Sequence, residues 1–349
     1  MSPGETVDAE IVINNPNISP YCFDDDNRRV IFAELPDGID LSTVPFVYHT
    51  QYEEAIRLIA VPYETFNQIA QTLPPIEHLI IIYISGRSGS TLLSHIFNAV
   101  DNVVSFSEPD VITQFAYLRT DDNSRSTELS RLANSAMRVL FKSKQDKTCA
   151  IKVRSQALRA MDLFQQTFPA VKNLYSYRDI VGYASSFYRV LKQFGSPEYS
   201  SVSDTISYYD EQFDYDMTPY IENLIPGAEE VSLVQFLTLQ WIICMEWYLA
   251  QANNGIPVLP VRYADLKTAN ENILAGIFEH CAIPVEQVAN TLKVFEQDSQ
   301  AGSPIARINP NEGNKLRLTD EQLQEMNRIL QRHPVINTMD YIIPGTLEG

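Results

Sequence analysis

Cysteine is scarce and unpatterned in this chain. Cys22, Cys149, Cys244 and Cys281 are the four among 349 residues, and no two stand at CxxC or zinc-ligand spacing. That excludes a disulfide framework and a zinc ribbon and fits a reducing, cytoplasmic setting. Positive charge is also in short supply: 26 Lys and Arg face 44 Asp and Glu, a formal net charge of −18. Broad attraction to nucleic acid or to an anionic lipid surface is therefore not expected. Any cation that holds an anion must be placed locally. Long hydrophobic runs are missing too. Leu79–Ile84 and Trp241–Met245 are the longest, far below the roughly 20 residues of a membrane span. The opening Met1-Ser-Pro-Gly-Glu-Thr-Val-Asp8 is acidic and lacks the basic-then-apolar build of a secretory leader.

What is present reads as globular, with 45% hydrophobic and 20% charged residues. Residues 1–30 are polar, with Asn14-Asn15-Pro16-Asn17 and Asp24-Asp25-Asp26, and read as a mobile lead-in. Residues 31–77 combine a short apolar stretch with helical patterns around Glu53–Ile59 and Thr65–Ala70, closed by Pro74-Pro75. Together, residues 1–77 are expected to be an N-terminal extension packed on a main domain spanning 78–349.

From His78 the rhythm changes. Leu79-Ile-Ile-Ile-Tyr-Ile84 is a continuous apolar run suited to a strand buried on both faces. Val103–Phe106, Cys149–Val153, Leu174–Tyr177 and Val258–Val261 read as four further strands, with helical patterns between them. Strands alternating with helices predict an α/β fold: a central parallel sheet of about five strands flanked by helices, in a P-loop-like three-layer arrangement. Ligands of such sheets sit at the carboxyl ends of the strands.

Three segments put chemistry there. Ser85-Gly86-Arg87-Ser88-Gly89-Ser90-Thr91 follows the first strand and opens a helix. Glycines allow close backbone approach, and the amides at a helix start attract anions. A nucleotide triphosphatase loop reads GxxxxGK[ST]; this one is shorter and has no Lys. Tyr177-Arg178-Asp179 ends another strand, and Ser186 follows Arg178 by eight residues on the next helix. An Arg fork and a Ser hydroxyl at that spacing converge on one phosphate. Glu108 ends the second strand, 21 residues after Arg87, well placed to take a proton.

The loop Ser85–Leu93, the Arg178…Ser186 pair and Val261-Arg262-Tyr263-Ala264-Asp265-Leu266 together resemble the sulfotransferases that use 3′-phosphoadenosine 5′-phosphosulfate (PAPS). The form of the loop and the Glu offset are most similar to the protein-tyrosine and bacterial members. The resemblance covers residues 78–310 and implies sulfuryl transfer to a hydroxyl of a small-molecule or acyl-chain acceptor. It implies that Gly86, Arg87, Ser88, Gly89, Ser90 and Thr91 hold the phosphosulfate, with Arg87 neutralising the leaving 5′-phosphate. Arg178 and Ser186 would grip the 3′-phosphate, Glu108 would act as general base, and no metal would be needed. Ser303 and Arg307 occupy the region of the family's last donor contacts, although the usual RKGxxG string is absent there. The RYADL element is expected to be structural. A nucleotide-dependent kinase or phosphotransferase, or a nucleotide-binding module without catalysis, are the competing readings.

Other features stay open from sequence. Lys152, at the end of a strand, either faces the transferring group or snorkels to solvent. His95 lies a turn along the loop helix and reads as a helix-face histidine. The aromatic and acidic stretch Tyr208–Asp216 is either a lid or an exposed amphipathic helix, and Trp241–Leu249 is expected to be core helix.

Overall fold

The computed structural model describes residues 4–120, 122–144, 147–268, 270–296 and 317–348. Near its start, β1 (Ile18–Asp24), β2 (Arg29–Glu34) and β3 (Arg57–Pro62) pair antiparallel in that order. Residues 18–30 are thus strand and turn, not a mobile lead-in. Ile18, Phe23, Val30 and Phe32 point into the core, and Phe23 meets Phe115 edge-on at 5.1 Å. Polar neighbours hid these inward-facing positions, and in β1 a register shift between Pro20 and Cys22 breaks the two-residue alternation. The helical pattern expected around 53–59 also gives way: helix Val47–Glu54 ends early and β3 begins at Arg57, pairing with β2 so that Ile59 and Val61 face inward. Lys142 ties the first residues down, its Nζ donating to the carbonyls of Val12 (2.5 Å), Asn15 (2.6 Å) and Ile18 (2.6 Å).

The main sheet contains β4 (Leu79–Ile84), β5 (Val103–Ser107), β6 (Thr148–Lys152), β7 (Lys172–Tyr177) and, after a small antiparallel pair β8 (Tyr199–Ser201) and β9 (Glu230–Ser232), β10 (Val258–Arg262). Its five strands are parallel, in the order β10-β7-β4-β6-β5. The expected α/β architecture and all five expected strands are present. Every residue of β4 is buried, and its side chains alternate between two cores. Ile80, Ile82 and Ile84 join Leu93, Phe97 and Phe278 on one face, while Leu79, Ile81 and Tyr83 join Tyr175 and Trp241 on the other. Helices cover both faces, giving three layers.

The chain runs from β4 to the far edge at β5, returns to β6, then crosses β4 to reach β7. The change of direction falls at β4, so the crevice of the sheet opens where β4 ends. Helix Leu233–Asn253, started by a Ser232–Gln235 capping box, is long and apolar enough to cross a membrane, but 72% of its most apolar window is buried inside the protein. It is a core helix. In the 208–216 stretch, Tyr208 is exposed whereas Tyr209 is buried and stacks on Phe213 at 4.4 Å.

Candidate functional site

Backbone constraint defines the loop after β4. Gly86 and Gly89 take φ of +88° and +76°, and between them Arg87 sits at +50°, a conformation that costs a non-glycine residue free energy. Gly89 is required for a second reason: a Cβ there would lie 2.2 Å from Cδ2 of Tyr263, whose ring presses on the loop. Ser176 Oγ donates to the Ser88 carbonyl (2.9 Å) and the Ser85 amide donates to the Ser176 carbonyl (3.1 Å), stitching the loop to β7. Helix Ser90–Asn98 then begins, with first-turn amides that a helix cannot satisfy internally. The Ser88 hydroxyl is fully buried and has no hydrogen-bond partner among the described residues.

Arg178 follows β7 directly. Its guanidinium lies 5.1 Å from the centroid of the Tyr263 ring, and Nη1 approaches the Arg87 carbonyl at 3.5 Å. Burial lowers the Arg178 pKa below the usual guanidinium value, against the opposing pull of Tyr263 and Asp179. Trp241 Nε1 holds the Arg178 carbonyl at 2.9 Å, and Gly182 leaves no room for a side chain beside Arg178 Nε. Helix Ile180–Gln193 is N-capped by Asp179, which accepts from the Gly182 amide at 2.7 Å. That cap aims Ser186 back at the loop, where its Oγ accepts from Arg87 Nε at 2.9 Å. The loop, Arg178 and Ser186 therefore form one cluster. The Arg87 side chain runs toward Ser186.

A second cluster lies across the loop helix. Glu108, also left-handed at φ +56°, is held by its backbone amide, which donates a hydrogen bond to the Lys152 carbonyl at 2.7 Å. The Lys152 side chain is 1% exposed; its Nζ stands 2.8 Å from Glu108 Oε1 and donates to Thr91 Oγ1 at 3.1 Å. It does not snorkel. The Phe46 ring lies 5.1 Å from the same ammonium. Just outside, Arg154 pairs with Asp110 at 2.9 Å and lies 5.1 Å from the Tyr48 ring centroid. Burial pushes the Asp110 pKa up against the pull of Arg154, and burial raises that of Tyr48. His95 is shifted down by burial, with the Lys152 charge adding to the effect.

Of the residues expected from sequence, the loop, Arg178 and Ser186 share the first cluster, and Glu108 stands in the second, joined to the loop helix through Lys152 and Thr91. The sequence left Lys152 open and did not point to Phe46, Tyr48 or the Arg154–Asp110 pair. A Lys closing a buried strand was a usable signal for the first; nothing local marks the others. Ser303 and Arg307 lie outside the described residues. Tyr263 belongs to the RYADL element, whose Arg262 and Asp265 close on each other at 2.8 and 2.6 Å. Among the described residues, no group of three or more His, Cys, Asp or Glu is placed to hold a metal ion.

No protein-family model and no curated protein matches the chain. Among solved structures, the crystal structure of sulfotransferase STF9 from Mycobacterium avium is similar over 76% of this chain and 79% of that one, at 13% identity and a TM-score of 0.43. At that level the likeness transfers no residue role. The chemistry rests on the geometry.

Proposed function

We propose that this protein is a sulfotransferase that moves a sulfuryl group from PAPS to a hydroxyl of a small-molecule acceptor. The observation that carries the reading is the pairing of two clusters on either side of the β4 loop: Arg178 with Arg87 and Ser186 on one side, Lys152 with Glu108 and Thr91 on the other. A donor with an anion at each end fits two such cation-bearing stations. The buried hydroxyl of Ser88, without a partner among the described residues, and the first-turn amides of helix Ser90–Asn98 suit the phosphosulfate between them.

Arg178 and Ser186 would hold the 3′-phosphate. Arg87, whose side chain reaches Ser186, would serve that same end, and the charge near the reacting atoms would fall to Lys152. In the transfer, the bond from sulfur to the 5′-phosphate oxygen breaks as the acceptor oxygen bonds to sulfur. Glu108 takes the acceptor's proton, and Lys152 offsets negative charge as it develops. The balance needs no further reactant. With all four cysteines as free thiols, we assign the protein to the cytoplasm.

The test is transfer of radiolabelled sulfate from PAPS to a panel of alcohols and phenols. Labelled product from the wild type, lost in Lys152→Met and Glu108→Gln, supports the assignment. Donor binding with no transfer to any acceptor would leave a nucleotide-binding module instead.

A further inference from the structure

The N-terminal segment lies against the reacting end of this site. Asn98 Nδ2 donates to the Ser42 carbonyl at 2.7 Å, and Ser107 Oγ donates to the Pro45 carbonyl at 2.6 Å. The Tyr48 amide approaches the Glu108 carbonyl at 3.4 Å. Residues 42–48 are thereby fastened to the loop helix, to the end of β5 and to Glu108 itself. From behind, Gln51 Nε2 donates to Ser19 Oγ (2.8 Å) and the Pro20 carbonyl (3.1 Å), anchoring the segment to β1.

We infer that residues 42–48 are a working wall of the active site, with Phe46 positioning the Lys152 ammonium and Tyr48 flanking the acceptor's approach to Glu108. The Phe46 ring lies 5.1 Å from Nζ, and the Lys152 and Glu108 side chains are only 1% and 11% exposed. An aromatic face attracts an ammonium while excluding water, and the attraction strengthens as the cation is desolvated. Three partners then fix one Nζ: a carboxylate, a hydroxyl and a ring. On the solvent side the Tyr48 ring lies 6.1 Å from Phe46 and 5.1 Å from Arg154. The Arg154–Asp110 pair is partly open, at 31% and 25% side-chain exposure. An acceptor that comes to the Glu108–Lys152 pair from the side of this partly exposed pair would pass Tyr48 and Arg154.

The kinetic part of this inference rests on the sulfuryl-transfer reading; the structural part does not. Lysine acetylation by acetic anhydride, read by peptide mass spectrometry, reports on the wall whatever the reaction. Lys152 should resist labelling in the wild type and in Phe46→Tyr, react several-fold faster in Phe46→Leu, and fastest in Phe46→Ala. In transfer assays, Phe46→Leu should lower kcat by about tenfold with the donor KM held, a loss that Phe46→Tyr recovers. Tyr48→Ala should raise the acceptor KM alone. Should Phe46→Leu and Phe46→Ala, folded by circular dichroism, both label like the wild type, Phe46 does not seal Lys152 and the inference is wrong. Faster labelling in a protein that transfers no sulfate would keep the wall and discard the reaction.

Discussion

Lys152 and Glu108 meet because of a register between adjacent strands. Lys152 pairs with Ser107 across β6 and β5, and the next residue along, Glu108, turns its carboxylate back to within 2.8 Å of the ammonium. The pair is nearly dry, and each partner keeps the other from being an isolated buried charge. Removing one partner of such a pair costs about 3–5 kcal/mol, whereas removing both leaves no orphan.

Glu108→Gln and Lys152→Met should each lower the urea midpoint substantially, and the double variant should lose less than the two single losses combined. In turnover, each single change should reduce kcat by roughly 10²- to 10⁴-fold. Additive destabilisation would mean the two side chains do not act as a pair in solution.

Gly89→Ala asks whether the loop and Arg178 are mechanically joined. The new methyl would collide with Tyr263, the ring on which Arg178 rests. Gly195→Ala is the control: φ is +80° there as well, but nothing lies within 4 Å. Both should lose about 1–2 kcal/mol of stability from the strained backbone. Gly89→Ala alone should weaken binding of 3′-phosphoadenosine 5′-phosphate, measured by calorimetry. Equal affinity in both variants would uncouple the ring from the clamp.

Much of this arrangement was legible in the sequence, for identifiable reasons. A strand buried on both faces has to be apolar throughout, so Leu79–Ile84 declared itself, and the glycines and hydroxyls after it marked the turn into the next helix. Arg178 and Ser186 are linked by a short local spacing on one strand end and one helix. Lys152 could not be resolved, because its partner is set by strand order, which periodicity does not encode. Phe46 and Tyr48 lie some 100 residues from Lys152 and Arg154, and only tertiary packing joins them. The strand at Ile18–Asp24 was hidden by the Asn and Asp clusters that flank it.

Stability should decline in acid, and the sign follows from two carboxylates. Hydrogen bonding to Arg125 lowers the Asp25 pKa, and hydrogen bonding to His333 lowers that of Glu246. A carboxyl with a depressed folded pKa contributes stability above its unfolded pKa and loses it as pH falls through the folded one. The urea midpoint should hold from neutrality to about pH 5 and drop below about pH 4. Asp25→Asn should flatten the drop; an unchanged slope would exclude Asp25 from it.

Lys142 anchors the start of the chain through three carbonyls. Lys142→Met would take a donor from all three, leaving the Asn15 carbonyl only its bond from the Ile18 amide at 3.3 Å, and should cost about 2 kcal/mol. Limited proteolysis should then cut before Ile18 at a rate the wild type does not show. Equal cutting rates in the two proteins would mean the three bonds hold nothing down.

The most direct test is calorimetric titration of 3′-phosphoadenosine 5′-phosphate against ADP in metal-free buffer, for wild type and Arg178→Ala. Tight binding of the 3′-phosphorylated nucleotide, at least about tenfold weaker in the variant, and little binding of ADP are the predicted outcome. Preference for ADP, strengthened by magnesium and indifferent to Arg178, would contradict the account and mark the protein as a phosphotransferase.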